Sequence, residues 1–423
     1  MKKILAMVLA GCMVLPLAAC GSSDSSASAS TAAAPAATEA PAEAATAADS
    51  TASGDAAAAG DASGMKIAMI TDYGDITDMS FNQTTYEASK AWAEKNGAEF
   101  TYYKPEGDST ADRVAMVDKA AADGYNVMVM PGYAFAGTIV QSSEMYPDIK
   151  FVALDVAAGD LLGEALGDKY DYNPDNWNVA DYYYSDNVYC AVYQEELAGY
   201  MAGVAAVKLG YKKLGFLGGM AVPAVMRYGY GFVQGANDAA KELGESDVEI
   251  NYAYGNQFYG DADITAAMDT WYQGGTEVVF ACGGGIYTSA AEAAAKVDGK
   301  VIGVDVDQKG TIDGQYGDGM TVTSAMKGLG ATVNTLLDAI RDGKWDDYKG
   351  QIQTLGMVSG DDPTLNYVQL PLESTQWSDG FSEDDYKQLV ADMFSGKITV
   401  SNDISAEQPS ADSVKVNYQG NLK

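Results

Sequence analysis

The feature that most constrains the fold is a regular alternation of short apolar runs and helix-periodic segments after residue 64. Strands that alternate with helices predict right-handed βαβ units around mainly parallel sheets. The pattern predicts strands at Met65–Thr71, Glu99–Tyr103, Tyr125–Met130, Ile149–Leu154, Leu214–Leu217, Glu249–Tyr254, Glu277–Ala281 and Lys300–Val304. It predicts helices at Ser80–Asn96, Ala111–Ala122, Ala136–Tyr146, Gln194–Leu209, Phe232–Leu243, Ala262–Gln273 and Ser289–Val297.

The alternation is interrupted at residues 157–189, which show no clear element and are rich in tyrosine, and then restarts. Two successive halves of this kind predict an α/β fold with two Rossmann-like lobes and a ligand cleft between them. We assign 65–188 to the N-terminal lobe, and 189–321 and 346–423 to the C-terminal lobe. A strand near Met320–Thr323 and a helix at Gly330–Arg341 predict a return segment to the first lobe, at about 322–345. A last helix is expected near Ser382–Phe394.

The N-terminus has the form of a secretory signal: a basic start at Met1–Lys3, an apolar run at Ile4–Ala19, and then Cys20. The run is about sixteen residues long, shorter than the roughly twenty that span a bilayer. Leu17-Ala18-Ala19-Cys20 resembles the bacterial lipobox, which implies a signal peptide at 1–19 and a lipid on Cys20. An ordinary signal peptide with a chance cysteine is the alternative. The expected location is the extracytoplasmic face of the cell membrane, with the lipid as anchor.

Residues 20–64 form a low-complexity segment of Ala, Ser, Thr, Gly and Pro with scattered acids. After Cys20 it contains no aromatic and no large aliphatic residue, so it cannot bury enough apolar surface to offset the entropy of ordering. We expect a disordered linker here.

Composition excludes several classes of function. Net charge is −33, from 59 acidic and 26 basic residues, which disfavours nucleic acid as a partner and argues weakly against an anionic ligand. The chain has no histidine, which removes histidine-based catalytic triads and metal sites. No catalytic residue, cofactor or metal site is predicted. Cys190 and Cys282 either form a disulfide or remain buried free thiols.

The sequence contains two glycine clusters that could lie close to a ligand. Gly229, Gly231 and Gly235 have the wrong final spacing for a dinucleotide-binding loop. The triplet Gly283-Gly284-Gly285 directly follows a predicted strand, and it indicates either a tight turn or close approach of the backbone to a ligand.

The segment Thr71–Gln83 carries the most information, because ligands of open parallel sheets bind beyond the carboxyl ends of strands. Ser80 and Gln83 fit a capping box, which places Phe81 and Asn82 at the first two helical positions. Phe81 could be an ordinary core residue. It could also be a stacking platform beside an amide that both donates and accepts hydrogen bonds.

This segment resembles the Asp-rich Ser-Phe-Asn-Gln motif of the basic membrane protein (BMP) family of PnrA-like substrate-binding lipoproteins. Four further segments resemble that family's motifs, in the same order. They are Gln194–Gly203, Leu214–Met220 followed by Arg227–Phe232, Val301–Gln308, and Thr323–Lys327. The resemblance implies the periplasmic-binding-protein type I fold, a purine nucleoside as ligand, an ABC permease as partner, and a monomer.

The resemblance also implies roles for individual residues. Phe81 and Tyr228 would stack on the base, and Asn82 and Asp155 would bind its polar edges. Asp305 and Lys327 would bind ribose hydroxyls, and Gly284 would pack against the ligand. Asp72, in the first motif, is also expected among the ligand-binding residues. Two departures matter: Tyr228 replaces the family's usual phenylalanine, and the Tyr-rich stretch 169–189 is long. That stretch is either a surface flap or an element of the pocket.

Two other functions are compatible with a fold of this kind. The same fold could bind another small polar ligand, such as a sugar or a signal molecule, for uptake or sensing. A nucleoside-cleaving enzyme would need an acid and a nucleophile in the cleft, and the sequence supplies no such motif, so we expect no enzymatic activity.

Overall fold

The structure, a computed structural model, describes residues 60–423. The predicted signal peptide, the lipidation at Cys20 and most of the predicted linker lie outside these residues. The last linker residues, Gly60–Gly64, pack on the folded domain: the Gly60 amide donates to the Asp342 carboxylate at 3.0 Å, and Ala62 is buried. Within the described chain, no helix is long and apolar enough to cross a membrane.

Strands and helices alternate over most of the described chain. The strands are β1 Lys66–Ile70, β2 Glu99–Tyr103, β3 Val127–Pro131, β4 Lys150–Leu154, β5 Val188–Tyr193, β6 Lys213–Gly218, β7 Glu249–Tyr254, β8 Val278–Cys282, β9 Lys300–Asp305, β10 Thr321–Lys327, β11 Ile352–Leu355, β12 Val368–Gln369 and β13 Lys415–Asn421. The α-helices are α1 Phe81–Asn96, α2 Thr110–Ala122, α3 Ala136–Met145, α4 Ala158–Leu166, α5 Glu195–Lys208, α6 Pro223–Leu243, α7 Ala262–Gln273, α8 Tyr287–Ala295, α9 Lys309–Tyr316, α10 Leu329–Arg341 and α11 Glu383–Phe394.

These elements form two sheets. The first has the strand order β11-β5-β4-β3-β1-β2, and the second has β12-β10-β9-β8-β6-β7-β13. Pairing is parallel throughout, except that the short β12 runs antiparallel to β10. Central strands such as β3 and β8 are buried along their whole length, as expected when helices cover both faces of a parallel sheet. The predicted α/β fold with two Rossmann-like lobes is confirmed.

The sheets divide the chain differently from the predicted lobe boundaries. Strand β10, expected in the return segment, pairs with β9 in the second sheet, and only the following helix α10 packs on α1 of the first lobe. Strands β5 and β11 belong to the first sheet. Within the described residues the chain therefore passes between the lobes at 193–195, 327–329 and 355–368. Side chains just before and after these crossings are placed beside the cleft.

The second lobe is built around a close contact between α5 and α6. A Cβ on Gly231 would lie 2.8 Å from the Glu196 Cα, and one on Gly235 would lie 2.8 Å from the Tyr200 carbonyl carbon. These glycines, which only superficially resemble a dinucleotide-binding loop, thus let two helix backbones touch. Helix α6 is longer than predicted, since it begins at Pro223 rather than Phe232. Its glycines therefore lie within a helix and not in a loop.

Candidate functional site

A cavity of about 460 Å³ lies between the lobes, at the carboxyl ends of strands from both sheets. Each of the eight residues that the sequence pointed to for the ligand lines it: Asp72, Phe81, Asn82, Asp155, Tyr228, Gly284, Asp305 and Lys327. The first and the last of these residues, Asp72 and Lys327, are more than 250 residues apart in the chain. The fold therefore brings the predicted residues to one place.

The first lobe contributes the start of α1. Helix α1 begins at Phe81, as predicted, so Phe81 and Asn82 are its first two residues. The Asn82 side chain is buried, its Nδ2 lies 3.4 Å from Asp72 Oδ1, and its Oδ1 has no hydrogen-bond partner among the described residues. Asp72 accepts the amide protons of Tyr73 and Gly74, while burial raises its pKa. This wall therefore offers a ring and an unused amide oxygen.

The predicted capping box is wrong. The Ser80 side chain makes no capping hydrogen bond; the carboxylate of Asp78 accepts the backbone amides of Ser80, Asn82 and Gln83 at 2.9–3.0 Å instead. A charged acceptor satisfies free amides at a helix N-terminus more strongly than a hydroxyl does. Ser80 Oγ is thereby free to donate to Asp305 Oδ2 of the second lobe at 2.5 Å.

Lys327 lies at the centre of the site. Its ammonium forms ion pairs with Asp155 (2.5 Å), Asp305 (3.6 Å) and Glu195 (3.7 Å). Its side chain is only 4% exposed. Burial alone lowers the pKa of Lys327, but these carboxylates outweigh it and hold the pKa above its ordinary value. The lysine is therefore a fixed positive charge inside the cleft.

Three aromatic rings surround the same ammonium. The Lys327 Nζ is 4.7 Å from the ring centroid of Phe81, 5.6 Å from that of Tyr193 and 5.7 Å from that of Tyr228. Contacts of this kind are cation–π interactions. Phe81 belongs to the first lobe and Tyr228 to the second, so one point in the cleft is flanked by a ring from each lobe.

Asp155 and Asp305 occupy matching places in the two lobes. Asp155 directly follows β4 and Asp305 ends β9, and both have left-handed backbones, with φ of 60° and 68°. Left-handed backbones are uncommon for residues other than glycine and are found often at functional sites. Burial raises the pKa of Asp155 to about 6, although Lys327 acts in the opposite direction. Oδ1 of Asp155 has no hydrogen-bond partner in the described chain.

The second lobe contributes Tyr228 and the Gly283–Gly285 turn. Tyr228 is buried on α6, its ring packs edge-on against Phe280, and its hydroxyl has no hydrogen-bond partner among residues 60–423. Gly283 and Gly284 have φ of 146° and 50°, and a Cβ on Gly284 would lie 2.9 Å from the Phe258 carbonyl oxygen. The triplet therefore is a tight turn, and its backbone also lines the cavity.

Several lining or supporting residues were not predicted. Tyr73 and Tyr133 of the first lobe both donate toward Met220 Sδ of the second, at 3.5 and 3.7 Å. Tyr73 also stacks on Phe258, with the centroids 6.4 Å apart. These loop side chains lack any periodicity that would reveal them. Glu195 lies in a segment that resembles one of the family's motifs. It was not singled out, because a charged residue at the start of a helix usually faces solvent.

The Tyr-rich stretch and the two cysteines were left open by the sequence; Cys282 lines the cavity and Cys190 does not. None of the residues described in the Tyr-rich stretch 169–189 lines it. Instead, Trp177 donates to Asp171 at 2.7 Å and Tyr172 is 86% exposed, whereas Tyr183 packs against the core of the first lobe and Tyr189 is buried in β5. Cys190 and Cys282 are buried free thiols in different sheets.

Comparison with known proteins agrees with this geometry. The family model Bmp, described as ABC transporter substrate-binding protein PnrA-like, matches residues 65–360. The ABC transporter nucleoside-binding protein BmpA of Lactococcus lactis is 27% identical over 353 residues, which cover 79% of this chain and 89% of that protein. An uncharacterized lipoprotein of Pyrococcus furiosus is 25% identical over 304 residues, or 70% of this chain and 69% of the other.

The fold also matches solved structures. A solute-binding protein of an ABC transporter system from Aeropyrum pernix superposes with a TM-score of 0.58 at 20% identity, covering 79% of this chain and 87% of that one. At this identity the likeness establishes the architecture alone, a type I periplasmic-binding-protein fold with two lobes around a cleft.

Proposed function

Because the chain belongs to the PnrA-like family of ABC transporter substrate-binding proteins, we propose that it captures a purine nucleoside between its lobes and delivers it to a permease. The family predicted from the motifs is confirmed. Its members bind substrates for transport and are not enzymes, so a small-molecule ligand and a membrane permease are implied. Nucleoside specificity, the monomeric state and the individual contacts are our proposals.

The observation that carries the proposal is the pair of rings from opposite lobes. Phe81 and Tyr228 flank one point in the cleft, where a flat base can stack when the lobes close. Stacking of a base on an aromatic side chain contributes about 1–3 kcal/mol. The Lys327 ammonium is next to both rings in this structure, so a base can stack between them only if the ammonium moves aside.

The unused polar atoms suit the edges of a nucleoside. Asn82 Oδ1 and Asp155 Oδ1 are buried acceptors without partners in the described chain, and base N–H groups donate to acceptors of this kind. Asp305 and Lys327 are left to bind sugar hydroxyls. The name of the Lactococcus lactis relative, a nucleoside-binding protein, supports the same assignment.

The charge of the cleft favours a neutral nucleoside over a nucleotide. Six aspartates line the cavity against three basic residues. They are Asp72, Asp75, Asp78, Asp155, Asp160 and Asp305, and the basic residues are Lys104, Arg227 and Lys327. A phosphate would enter a site that is already negative, with little water to screen the repulsion.

Ligand-induced thermal stabilisation tests the proposal. Inosine, adenosine or guanosine should raise the melting temperature, because a ligand that binds only the folded form stabilises it. Their monophosphates should not, because the acidic cleft repels a phosphate. If no nucleoside raises it, the proposed ligand is wrong.

The variant Phe81→Ala separates a nucleoside from a sugar or another small polar ligand. Loss of one stacking face should weaken nucleoside binding roughly 5- to 150-fold, as measured by calorimetric titration. A ligand without a ring system would be held by the carboxylates and would lose little affinity.

We also propose that the protein is tethered through a lipid on Cys20, at the outer face of the cell membrane. Curated relatives carry the name lipoprotein, which supports an anchored surface protein. An unlipidated Cys20→Ala variant should bind its ligand normally but fail to support uptake in cells. Uptake equal to that of the wild type would contradict the tether.

A further inference from the structure

Glu195 is a fully buried carboxylate that takes no part in lining the cavity. It is the first residue of α5, at the first crossing between the lobes, and its side chain is 0% exposed. Lys327 ends β10, at the second crossing. The two side chains therefore meet where the chain passes between the lobes, directly behind the proposed ligand site.

Glu195 joins two cations. Its Oε2 accepts a hydrogen bond from Arg227 Nε at 2.7 Å, and its Oε1 lies 3.7 Å from Lys327 Nζ. Oε1 makes no hydrogen bond of its own within the described chain, so it acts on the lysine through its charge. A buried carboxylate needs such partners, because leaving it unpaired away from water is very costly.

The arrangement fixes where the ammonium of Lys327 can lie. Asp155 attracts it from the first lobe, Asp305 from the end of β9, and Glu195 from behind, on the second lobe. Arg227 neutralises one oxygen of Glu195 and leaves the other for the lysine. Without Glu195, the ammonium would be drawn only toward the two aspartates that the ligand is proposed to use.

We propose that Glu195, held by Arg227, is a positioning residue whose charge holds the Lys327 ammonium in place beside the ligand. This inference rests on the proposed function, and it adds a residue that touches the ligand only through the lysine. Glu195 therefore sets both the affinity of the site and its response to pH.

The pH response follows from the charges around Asp155. Burial raises the pKa of Asp155 to about 6; Lys327 lowers it, and Glu195 and Asp305 raise it. The other titratable side chains around this cluster are Arg227, Tyr193, Tyr228 and Cys282. Because Glu195 opposes ionisation of Asp155, removing its charge lowers the pKa of Asp155.

The test compares Glu195→Gln with Glu196→Gln. Glu196 is the next residue of the same helix and is also buried, at 3% exposed. It forms no ion pair with Lys327, whose partners within the described chain are Asp155, Glu195 and Asp305. Each variant replaces one buried carboxyl group by an amide of nearly the same shape. Nucleoside affinity is measured by calorimetry from pH 5 to pH 8.

Glu195→Gln should weaken binding about tenfold at pH 7.5, a change of roughly 1.4 kcal/mol. The loss of affinity in acid, where Asp155 takes up a proton, should move to lower pH. Glu196→Gln should leave the position of that acid limb unchanged. If the two variants show the same affinity and the same acid limb, Glu195 is only structural and the proposal fails.

A measurement without ligand separates this proposal from the proposed function. The carboxyl ¹³C resonance of Asp155, assigned with Asp155→Asn, reports the pKa of Asp155 directly. It should fall in Glu195→Gln and not in Glu196→Gln, even if the wild type binds no nucleoside. An unchanged pKa in both variants refutes the positioning role.

If Glu195→Gln does not fold, Glu195→Asp makes the same comparison with the charge retained. Its shorter side chain draws the carboxylate away from Lys327, so the pKa of Asp155 should fall by a smaller amount. A pKa equal to that of the wild type would refute the proposal.

Discussion

Replacing Gly235 by alanine tests the packing that holds the second lobe together. An alanine Cβ at this position would lie 2.8 Å from the Tyr200 carbonyl carbon and 3.0 Å from the Tyr200 Cα, with the carbonyl oxygen closer still. Carbon atoms pack at about 3.5–4.0 Å, so α5 and α6 must separate by at least about 0.7 Å. The obstacle is backbone, which cannot rotate away as a side chain could.

The expected cost follows from two opposing effects. Overpacking of a close-packed interior destabilises by about 1–3 kcal/mol, and a backbone clash belongs at the upper end. Alanine favours a helix over glycine by about 1 kcal/mol. We therefore expect Gly235→Ala to lower the free energy of unfolding by about 2 kcal/mol.

The matched control is Gly314→Ala in α9. Gly314 is exposed, and no atom lies within 4 Å of the position that its Cβ would take. This variant should gain roughly 0.5–1 kcal/mol through helix propensity alone. Urea denaturation followed by circular dichroism measures both variants. If Gly235→Ala is as stable as Gly314→Ala, the helices do not touch as described.

Three further predictions concern the site. Tyr228→Phe removes a buried hydroxyl that has no partner among the described residues, so the unliganded protein should unfold at equal or higher urea concentration; a clear loss of stability would contradict this. Burial raises the pKa of Asp78, Asp155 and Asp160 to about 6, so the folded state binds protons that the unfolded state releases. Unliganded melting temperature should therefore rise as pH falls from 8 to 5.5, and a fall would refute the assignment. Gly284→Ala forces a side chain onto a backbone with φ of 50° beside the cavity and should weaken nucleoside binding, whereas unchanged calorimetric affinity would separate this turn from the ligand.

Much of the fold was predictable because buried parallel strands are short continuous apolar runs. Strands such as β3 and β8 were located within two residues by this signal alone. Helix α4 and strand β5 were missed because no clear element was recognised at residues 157–189. Strand β10 was placed in the wrong lobe because a strand carries no mark of its sheet. Helix α6 was shortened in the prediction because its glycines look like a loop until their partner helix is known.

The site was predictable where chemistry coincides with a strand end. Asp155 and Asp305 directly follow or end apolar strands, and Phe81 begins a helix within a recognisable motif. Glu195 is different: only the fold shows that it is buried and paired with Arg227 and Lys327. Likewise, only the three-dimensional structure shows that Asp78 caps α1 and thereby leaves Ser80 free to contact the second lobe.

Calorimetric titration of the wild-type protein with inosine, adenosine and guanosine shows whether the cleft binds a purine nucleoside. We expect at least one of them to bind with one molecule per chain, and the corresponding monophosphate to bind far more weakly. Saturable binding of a sugar, with no heat from any nucleoside, would contradict this expectation.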